Sequence, residues 1–283
     1  MTEQIRLAGA GVSLAGTRWR ARGTADRGPM LLLHGGGQTR HSWRRTGEAM
    51  ADLGFDVLSV DARGHGESDW APDGDYSVGA LVADLRAVIA ALGAPPVLVG
   101  ASMGGLTGLV AEGEHPGTVR ALVLVDVVPQ MDPKGVARIK AFMGAAPEGF
   151  ATLEDVAEAI RRYQPHRVRP VDTASVRKNV RQGPDGRWYW HWDPAFLARG
   201  KVDSARRGRR LHEATARVRV PTLLLRGGAS DVVTEAGVEE LLRAIPGAQH
   251  VEVPGAAHMV AGDDNSVFLA NVTAFLEELS GAA

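Results

Sequence analysis

A single serine lies between small residues in the stretch GASMG, residues 100–104. The stretch fits the pattern G-x-S-x-G, with an apolar run before it and a helical pattern after it, so Ser102 is predicted in a strand-to-helix turn. In such a turn the serine is strained, and side chains two positions away on either side would collide with neighbouring backbone. The start of the helix also directs backbone N–H groups at the serine. The pattern predicts that Ser102 is a nucleophile.

A serine hydroxyl is a weak nucleophile at neutral pH unless a base removes its proton. His258 lies in PGAAHMV (254–260), just past the last predicted strand, in a loop of small residues that would expose an imidazole at the sheet edge that carries Ser102. His34, His65 and His115 each adjoin glycine or proline, which favours a role in building turns. His258 is therefore the predicted base.

The base needs a carboxylate on its second ring nitrogen, to fix the tautomer and stabilise the imidazolium. Two aspartates qualify. Asp231 follows the strand pattern TLLLRGG by a short loop, and Asp126 ends the strand pattern ALVLVD. Both keep the chain order serine, acid, histidine, and both should reach the carboxyl edge of the sheet, where ligands bind in α/β folds. Spacing alone does not choose between them.

Short runs rich in Val and Leu predict the strands that position these residues. The runs are nearly continuous rather than alternating, which is typical of parallel strands covered by helices on both faces. Helical patterns lie between them, notably at 77–92 and 266–279, and the first twenty residues predict an antiparallel hairpin. The predicted strands lie within 30–35, 56–64, 96–102, 121–126, 222–228 and 250–255.

The alternation of strands and helices fails between residues 127 and 219. That segment holds helical patterns, including a capping box from Thr152 to Asp155, but no convincing strand. It is predicted to be a helical cap inserted into a core formed by 1–126 and 220–283. It carries 19 Lys and Arg against 10 Asp and Glu. This excess fits a solvated basic helix face or the attraction of anionic substrates.

Composition narrows the possible functions. The 283 residues include 32 Lys and Arg against 33 Asp and Glu, so no global charge favours nucleic acid or a membrane surface. No cysteine is present, which excludes thiolate catalysis and fits a cytoplasmic location. We expect no signal peptide and no membrane span. The glycine-rich stretches match neither a P-loop nor a dinucleotide fingerprint. A small-molecule substrate is expected, and the oligomeric state stays open.

Together, LLLHGGG, VDARGHGES, GASMGG, RGGASDVV and PGAAHMV resemble the motifs of the α/β-hydrolase superfamily, in the right order along the chain. The resemblance implies an eight-stranded, mainly parallel sheet with the cap inserted after the sixth strand. It implies Ser102 as nucleophile, His258 as base and Asp231 as the more common acid, with Asp126 as the alternative. It also implies an oxyanion hole formed by the N–H groups of Gly36 and Met103. No metal and no cofactor is needed.

A serine at position 102 argues against relatives that attack with a carboxylate, the epoxide hydrolases and haloalkane dehalogenases. The sequence therefore predicts an esterase or lactonase that forms an acyl-enzyme. Alternatives are a carbon–carbon bond hydrolase of a diketone, a cofactor-free perhydrolase or oxygenase, and a non-catalytic small-molecule receptor. In GRWYWHWDPAF, Trp188, Trp190 and Trp192 would share one side if extended, and they are candidates to line an apolar pocket for a hydrophobic or cyclic substrate.

Overall fold

A computed structural model describes residues 2–23, 26–164, 173–198, 204–258, 260 and 265–281. The main sheet has eight strands, in the spatial order β1-β2-β4-β3-β5-β6-β9-β10. The first two strands form the predicted antiparallel hairpin, and β2 also pairs antiparallel with β4. The six strands from β4 to β10 are parallel to one another. The strands of this sheet are β1 (Thr2–Ala8), β2 (Ser13–Trp19), β3 (Pro29–Leu33), β4 (Asp56–Val60), β5 (Val97–Ala101), β6 (Ala121–Val125), β9 (Thr222–Gly227) and β10 (Gln249–Val253).

Helices cover both faces of the sheet. Leu31 and Leu98 pack in a cluster with α2, α3 and α8, whereas Met30 and Val97 pack on the other face with α1 and α9. Each central strand therefore buries both of its faces, which explains the nearly continuous apolar runs. The helices are α1 (Arg44–Asp52), α2 (Val78–Leu92), α3 (Met103–Glu114), α4 (Pro133–Met143), α5 (Leu153–Tyr163), α6 (Thr173–Val176), α7 (Ser204–Thr215), α8 (Glu235–Ala244) and α9 (Asn265–Gly281).

The segment between β6 and β9, called the insertion below (residues 127–219), contains α4 to α7. The predicted capping box at Thr152 and Asp155 is present at the start of α5. The expectation of no strand in this segment is wrong, because β7 (Val180–Gln182) pairs antiparallel with β8 (Trp188–Trp190). Each of these strands has only three residues, too few to show a period of two in the sequence.

Two parts of the insertion pack differently. Phe150, Val156 and Trp192 belong to a separate apolar cluster. Leu211 and Ala214 of α7 are buried in the cluster on the body of the protein, together with α3. Among the described residues, no helix has the length and apolar character that crossing a membrane requires.

Candidate active site

Ser102 occupies the sharp turn between β5 and α3. Its backbone has φ 45° and ψ −110°, a conformation that residues other than glycine rarely adopt. The turn is fixed on both sides, because the Ser102 N–H donates to the carbonyl of Val125 (3.1 Å) and its carbonyl accepts from the N–H of Leu106 (2.9 Å). The strand-to-helix turn predicted from the sequence is therefore present, with its serine in a strained conformation.

The glycines on either side of Ser102 are sterically required. A Cβ at Gly100 would lie 2.5 Å from the backbone nitrogen of Gly105, and one at Gly104 would lie 2.5 Å from the carbonyl oxygen of Leu33. Both distances are far below van der Waals contact, and both involve backbone atoms that cannot rotate away. These clashes explain why glycine is needed at both ends of the G-x-S-x-G motif, as the sequence suggests.

His258 makes its carboxylate contact with Asp126. The Nδ1 atom of His258 lies 2.7 Å from Oδ2 of Asp126, whose side chain is fully buried. Because a carboxylate oxygen accepts, Nδ1 of His258 is the donor in this contact, and in the neutral imidazole that tautomer leaves the lone pair on Nε2. Asp126 also accepts from the N–H of Gly227 (2.9 Å) and from the hydroxyl of Ser230 (2.7 Å). Three donors thus hold one buried carboxylate in a fixed orientation.

Asp231, the acid favoured by the resemblance, makes a different contact. Its carboxylate forms an ion pair with Arg138 of α4 at 2.9 Å and is about one third exposed. The path of the loop after β9 explains the difference. The Ser230 hydroxyl donates to Asp126 and accepts from the N–H groups of Val232 and Val233, which turns Asp231 towards α4. The expectation that Asp231 contacts His258 is corrected in favour of the alternative acid.

Ser230 was missed by the sequence reasoning. It adjoins Asp231 in the motif RGGASDVV, but nothing in the motif assigns it a contact with Asp126, which is 104 positions away along the chain. Only the pairing of β6 with β9 brings the two residues together.

The two expected oxyanion donors lie beside Ser102. Met103 is the first residue of α3, and Gly36 lies in the loop after β3; both line the same cavity as the serine. A Cβ on the neighbouring Gly35 would lie 3.4 Å from the Cβ of Ser102, so this loop packs against the serine. Neither the Gly36 nor the Met103 N–H donates to a described residue. Both N–H groups are thus available to a ligand.

Buried histidines fix the glycine loop. His34 donates from Nδ1 to the carbonyl of Gly35 (2.8 Å) and accepts at Nε2 from the N–H of Ala62 (2.9 Å), and burial lowers its pKa. His65 accepts at Nε2 from the N–H of Gly37 (3.2 Å). Both rings hold backbone in place, in agreement with the predicted role in turns.

A third histidine, His191, was not singled out by the sequence. It is buried, and its Nδ1 accepts from the N–H of Gly66 at 2.7 Å. Burial lowers the pKa of His191 to about 3. The ring is therefore neutral at physiological pH and links the insertion to a loop of the body.

A cavity of about 1020 Å³ opens above Ser102 and His258. Trp190 and Trp192 line it and stack on each other, with ring centroids 4.8 Å apart. Trp188 is not among the described lining residues; its ring lies beneath the guanidinium of Arg177, and its backbone pairs with Phe150. The structure thus brings two of the three candidate tryptophans to the cavity.

Comparisons with known proteins show the family to which the chain belongs. A family model described as alpha/beta hydrolase fold matches residues 28–264. The chain is 32% identical over 267 residues to an sn-1-specific diacylglycerol lipase of Mus musculus, covering 90% of this chain and 82% of the lipase. It is 32% identical over 244 residues to a 3-hydroxybutyrate-oligomer hydrolase of Cupriavidus necator, covering 81% and 83%. The crystal structure of E-2-(acetamidomethylene)succinate hydrolase matches with a TM-score of 0.84 at 25% identity, covering 98% of this chain and 100% of that one.

Proposed function

Since the chain belongs to the α/β-hydrolase fold family, we propose that it is a serine hydrolase that cleaves a carboxylic ester or lactone of a hydrophobic small molecule through an acyl-enzyme on Ser102. The observation that carries the proposal is the contact of 2.7 Å between His258 and the buried Asp126, at the cavity that Ser102 also lines. Two relatives at 32% identity, a lipase and an oligomer hydrolase, support cleavage of acyl bonds.

The proposed reaction begins at the Ser102 hydroxyl. Nε2 of His258 takes the hydroxyl proton while Oγ attacks the acyl carbon, and Asp126 stabilises the resulting imidazolium. The N–H groups of Gly36 and Met103 donate to the oxyanion, and each such donor is worth ~3 kcal/mol in the transition state. His258 then gives its proton to the leaving oxygen, which frees the alcohol and leaves the acyl group on Ser102. Water, deprotonated by His258, releases the acid and restores the serine.

The substrate side of the proposal depends on the tryptophans. Trp190 and Trp192 line the cavity as a stacked aromatic pair, which is the kind of wall that binds an apolar acyl chain or ring. The indole N–H of Trp192 donates to the carbonyl of Met143 at 3.2 Å, so this ring is held in a fixed orientation. A rigid apolar wall favours hydrophobic acyl groups over small polar ones.

The test of the proposed mechanism is Ser102→Ala. Turnover of p-nitrophenyl esters should fall by several orders of magnitude, because only binding and oxyanion stabilisation remain. A fluorophosphonate should add once to the wild type and not to the variant, as measured by intact mass. Ser42→Ala is the matched control, since Ser42 lines the same cavity and is not assigned to the chemistry.

Esterase activity near the wild-type level in folded Ser102→Ala would exclude the covalent mechanism. A panel of esters, lactones and a 1,3-diketone then identifies the bond that is cleaved fastest. Faster turnover of the diketone than of any ester would replace ester hydrolysis by carbon–carbon bond hydrolysis on the same three residues.

A further inference from the structure

The charged side chains that line the active-site cavity, in the part of the chain that the structure describes, are all Lys or Arg. Among the described residues that line it, no Asp or Glu is present. Even the insertion, which contributes five of the cations, carries 10 Asp and Glu beside its 19 Lys and Arg, so its composition alone does not give a wall without carboxylates. The cations, called the cationic wall below, are Arg44, Arg45, Lys140, Lys178, Arg206, Arg207 and Arg210.

The cationic wall comes from four separate elements. Arg44 and Arg45 begin α1 in the body, Lys140 lies on α4, Lys178 lies in the 3-10 helix Arg177–Asn179, and three arginines lie on α7. A solvated basic helix face would explain cations on one helix. It does not explain cations from four elements around one cavity, where their fields add.

Much of this charge is not neutralised by neighbouring carboxylates. Arg44 pairs with Glu48, and Arg210 forms a bidentate pair with Glu114 at 2.6 and 2.9 Å. In contrast, four members make no ion pair with a described residue: Arg45, Lys140, Arg206 and Arg207. The cavity therefore has cationic groups that an anion can approach.

The cavity is also divided by polarity. Its lining includes the buried apolar side chains of Leu106 and Trp192, whereas Arg45 and Lys140 are exposed to solvent. A ligand that contacts both kinds of lining has an apolar portion against the buried side chains and an anionic group at the solvent-exposed cations. A neutral, wholly apolar acyl compound would leave the cationic wall unused.

We propose that the substrate carries an anionic group, a carboxylate or a phosphate, and that the cationic wall binds this group while the apolar acyl portion lies over Ser102. The inference rests on the proposed function and names the substrate class for that site. The anion can belong to the acyl part or to the leaving group. The cationic wall recognises the negative charge of this group, whichever part of the substrate carries it.

Two pairs of matched probes test the proposal. In the first, the mono-p-nitrophenyl ester of adipic acid is compared with its neutral methyl ester, which places the anion on the acyl side. In the second, the hexanoyl ester of 4-hydroxybenzenesulfonate is compared with that of 4-hydroxybenzenesulfonamide, which places it on the leaving group. We expect kcat/KM to favour the anionic member of at least one pair about fivefold. This preference should shrink as NaCl rises from about 20 to about 500 mM, because the Debye length becomes shorter and the charges are screened.

Charge variants assign the preference to the cationic wall. Arg45→Gln and Arg207→Gln should each raise KM for the preferred anionic probe about threefold relative to KM for its neutral partner. The matched control is Arg86→Gln on α2, an exposed arginine that is not among the cavity residues and should have no effect.

Equal kcat/KM values within both probe pairs, or an anionic preference that survives both variants, would overturn the proposal. The neutral esters separate this outcome from failure of the proposed function. Their turnover depends on Ser102 whether or not the cationic wall recognises an anion.

Discussion

Ser102 and Asp126 both have positive φ, 45° and 47°, although neither is glycine. Each directly follows the last residue of a buried strand, β5 or β6, and these two strands are neighbours in the sheet. A residue other than glycine in this region costs of order 1–3 kcal/mol, which the surrounding contacts must offset. These two residues are the proposed nucleophile and the proposed acid, whereas Ala146, the third described residue of this kind (φ 55°), lies outside the site.

Exchanging each acid for its amide tests the role of Asp126. Asp126→Asn should lower kcat by up to ~10⁴, because an amide does not stabilise the imidazolium and can hold the wrong tautomer of His258; this magnitude is that of the corresponding change in a serine protease. Asp231→Asn should keep kcat within about threefold of wild type, since Asp231 forms only a partly exposed ion pair with Arg138. The measurements are kcat on a p-nitrophenyl ester and Tm.

The Tm values of the two variants show whether a change in kcat comes with a loss of stability. Asp126→Asn should also lose some stability, because the single amide oxygen cannot accept from both Gly227 and Ser230. A loss of kcat in Asp231→Asn with full activity in Asp126→Asn would contradict the assignment and return the role to Asp231.

Sequence alone could predict the turn that holds Ser102 and a position for His258 at the same cavity, because a local pattern around each residue limits where it can lie. It could not choose the acid. Asp126 and Asp231 both follow strands whose carboxyl ends meet at one edge, so the local pattern is the same for both. The choice depends on the loop after β9, whose path is set by the contact of Ser230 with a residue on another strand. Such a contact has no local sequence signal.

At the scale of elements, the alternation of β8 does not decide which tryptophans reach the cavity, because Trp188 and Trp190 lie on the same strand and only Trp190 lines it. Continued extension would have placed Trp188, Trp190 and Trp192 on one side, as the alternation predicts. Instead the chain turns after β8, and the ring of Trp192 stacks on that of Trp190 with an interplanar angle of 13°. The alternation could be read from the sequence, but the contacts of Trp188 with Arg177 and Phe150, which come from distant parts of the segment, could not.

A pair of conservative variants tests the aromatic wall. Trp192→Phe should change the ratio of kcat/KM between long-chain and short-chain acyl esters by about three- to tenfold, because it removes contact area from the cavity wall. Trp188→Phe is the matched control and should leave that ratio unchanged, since Trp188 is not among the described lining residues. Equal ratios in the wild type and both variants would leave Trp192 with a packing role only.

At the scale of the whole molecule, the sheet was predictable and the insertion was not. The central strands are buried on both faces, and such strands appear in the sequence as apolar runs whatever their neighbours are. The insertion depends on contacts between distant short elements, as in the bridge between Phe150 and Trp188. Those contacts follow from packing in three dimensions, so the segment was predicted only as helical.

Buried hydrogen bonds attach the insertion to the loop after β4. His191 accepts from Gly66, the Asp193 N–H donates to the carbonyl of Gly64 at 2.9 Å, and the hydroxyl of Tyr76 donates to the carboxylate of Asp193. Burial and the contact with Asp193 raise the pKa of Tyr76 to about 12, so this donor stays protonated over the physiological range. The contact at His191 depends on pH in a different way, because Nδ1 accepts only while the ring is neutral.

The pH dependence of global stability tests the contact at His191. Its pKa is about 3 in the folded protein and about 6.5 when exposed, so between these values the unfolded chain binds a proton that the folded protein does not. The free energy of unfolding must therefore fall as pH falls below about 6.5, by up to about 1.4 kcal/mol per pH unit.

The variant His191→Asn removes this titratable group, while the amide oxygen of the asparagine can still accept from the N–H of Gly66. Between about pH 7 and pH 5 the variant should lose about 2 kcal/mol less stability than wild type, as measured by urea unfolding. His115→Asn, at an exposed histidine, is the control. If His191→Asn and wild type lose equal stability over this range, then His191 titrates alike in the folded and unfolded chain, and its burial does not exclude the charged ring.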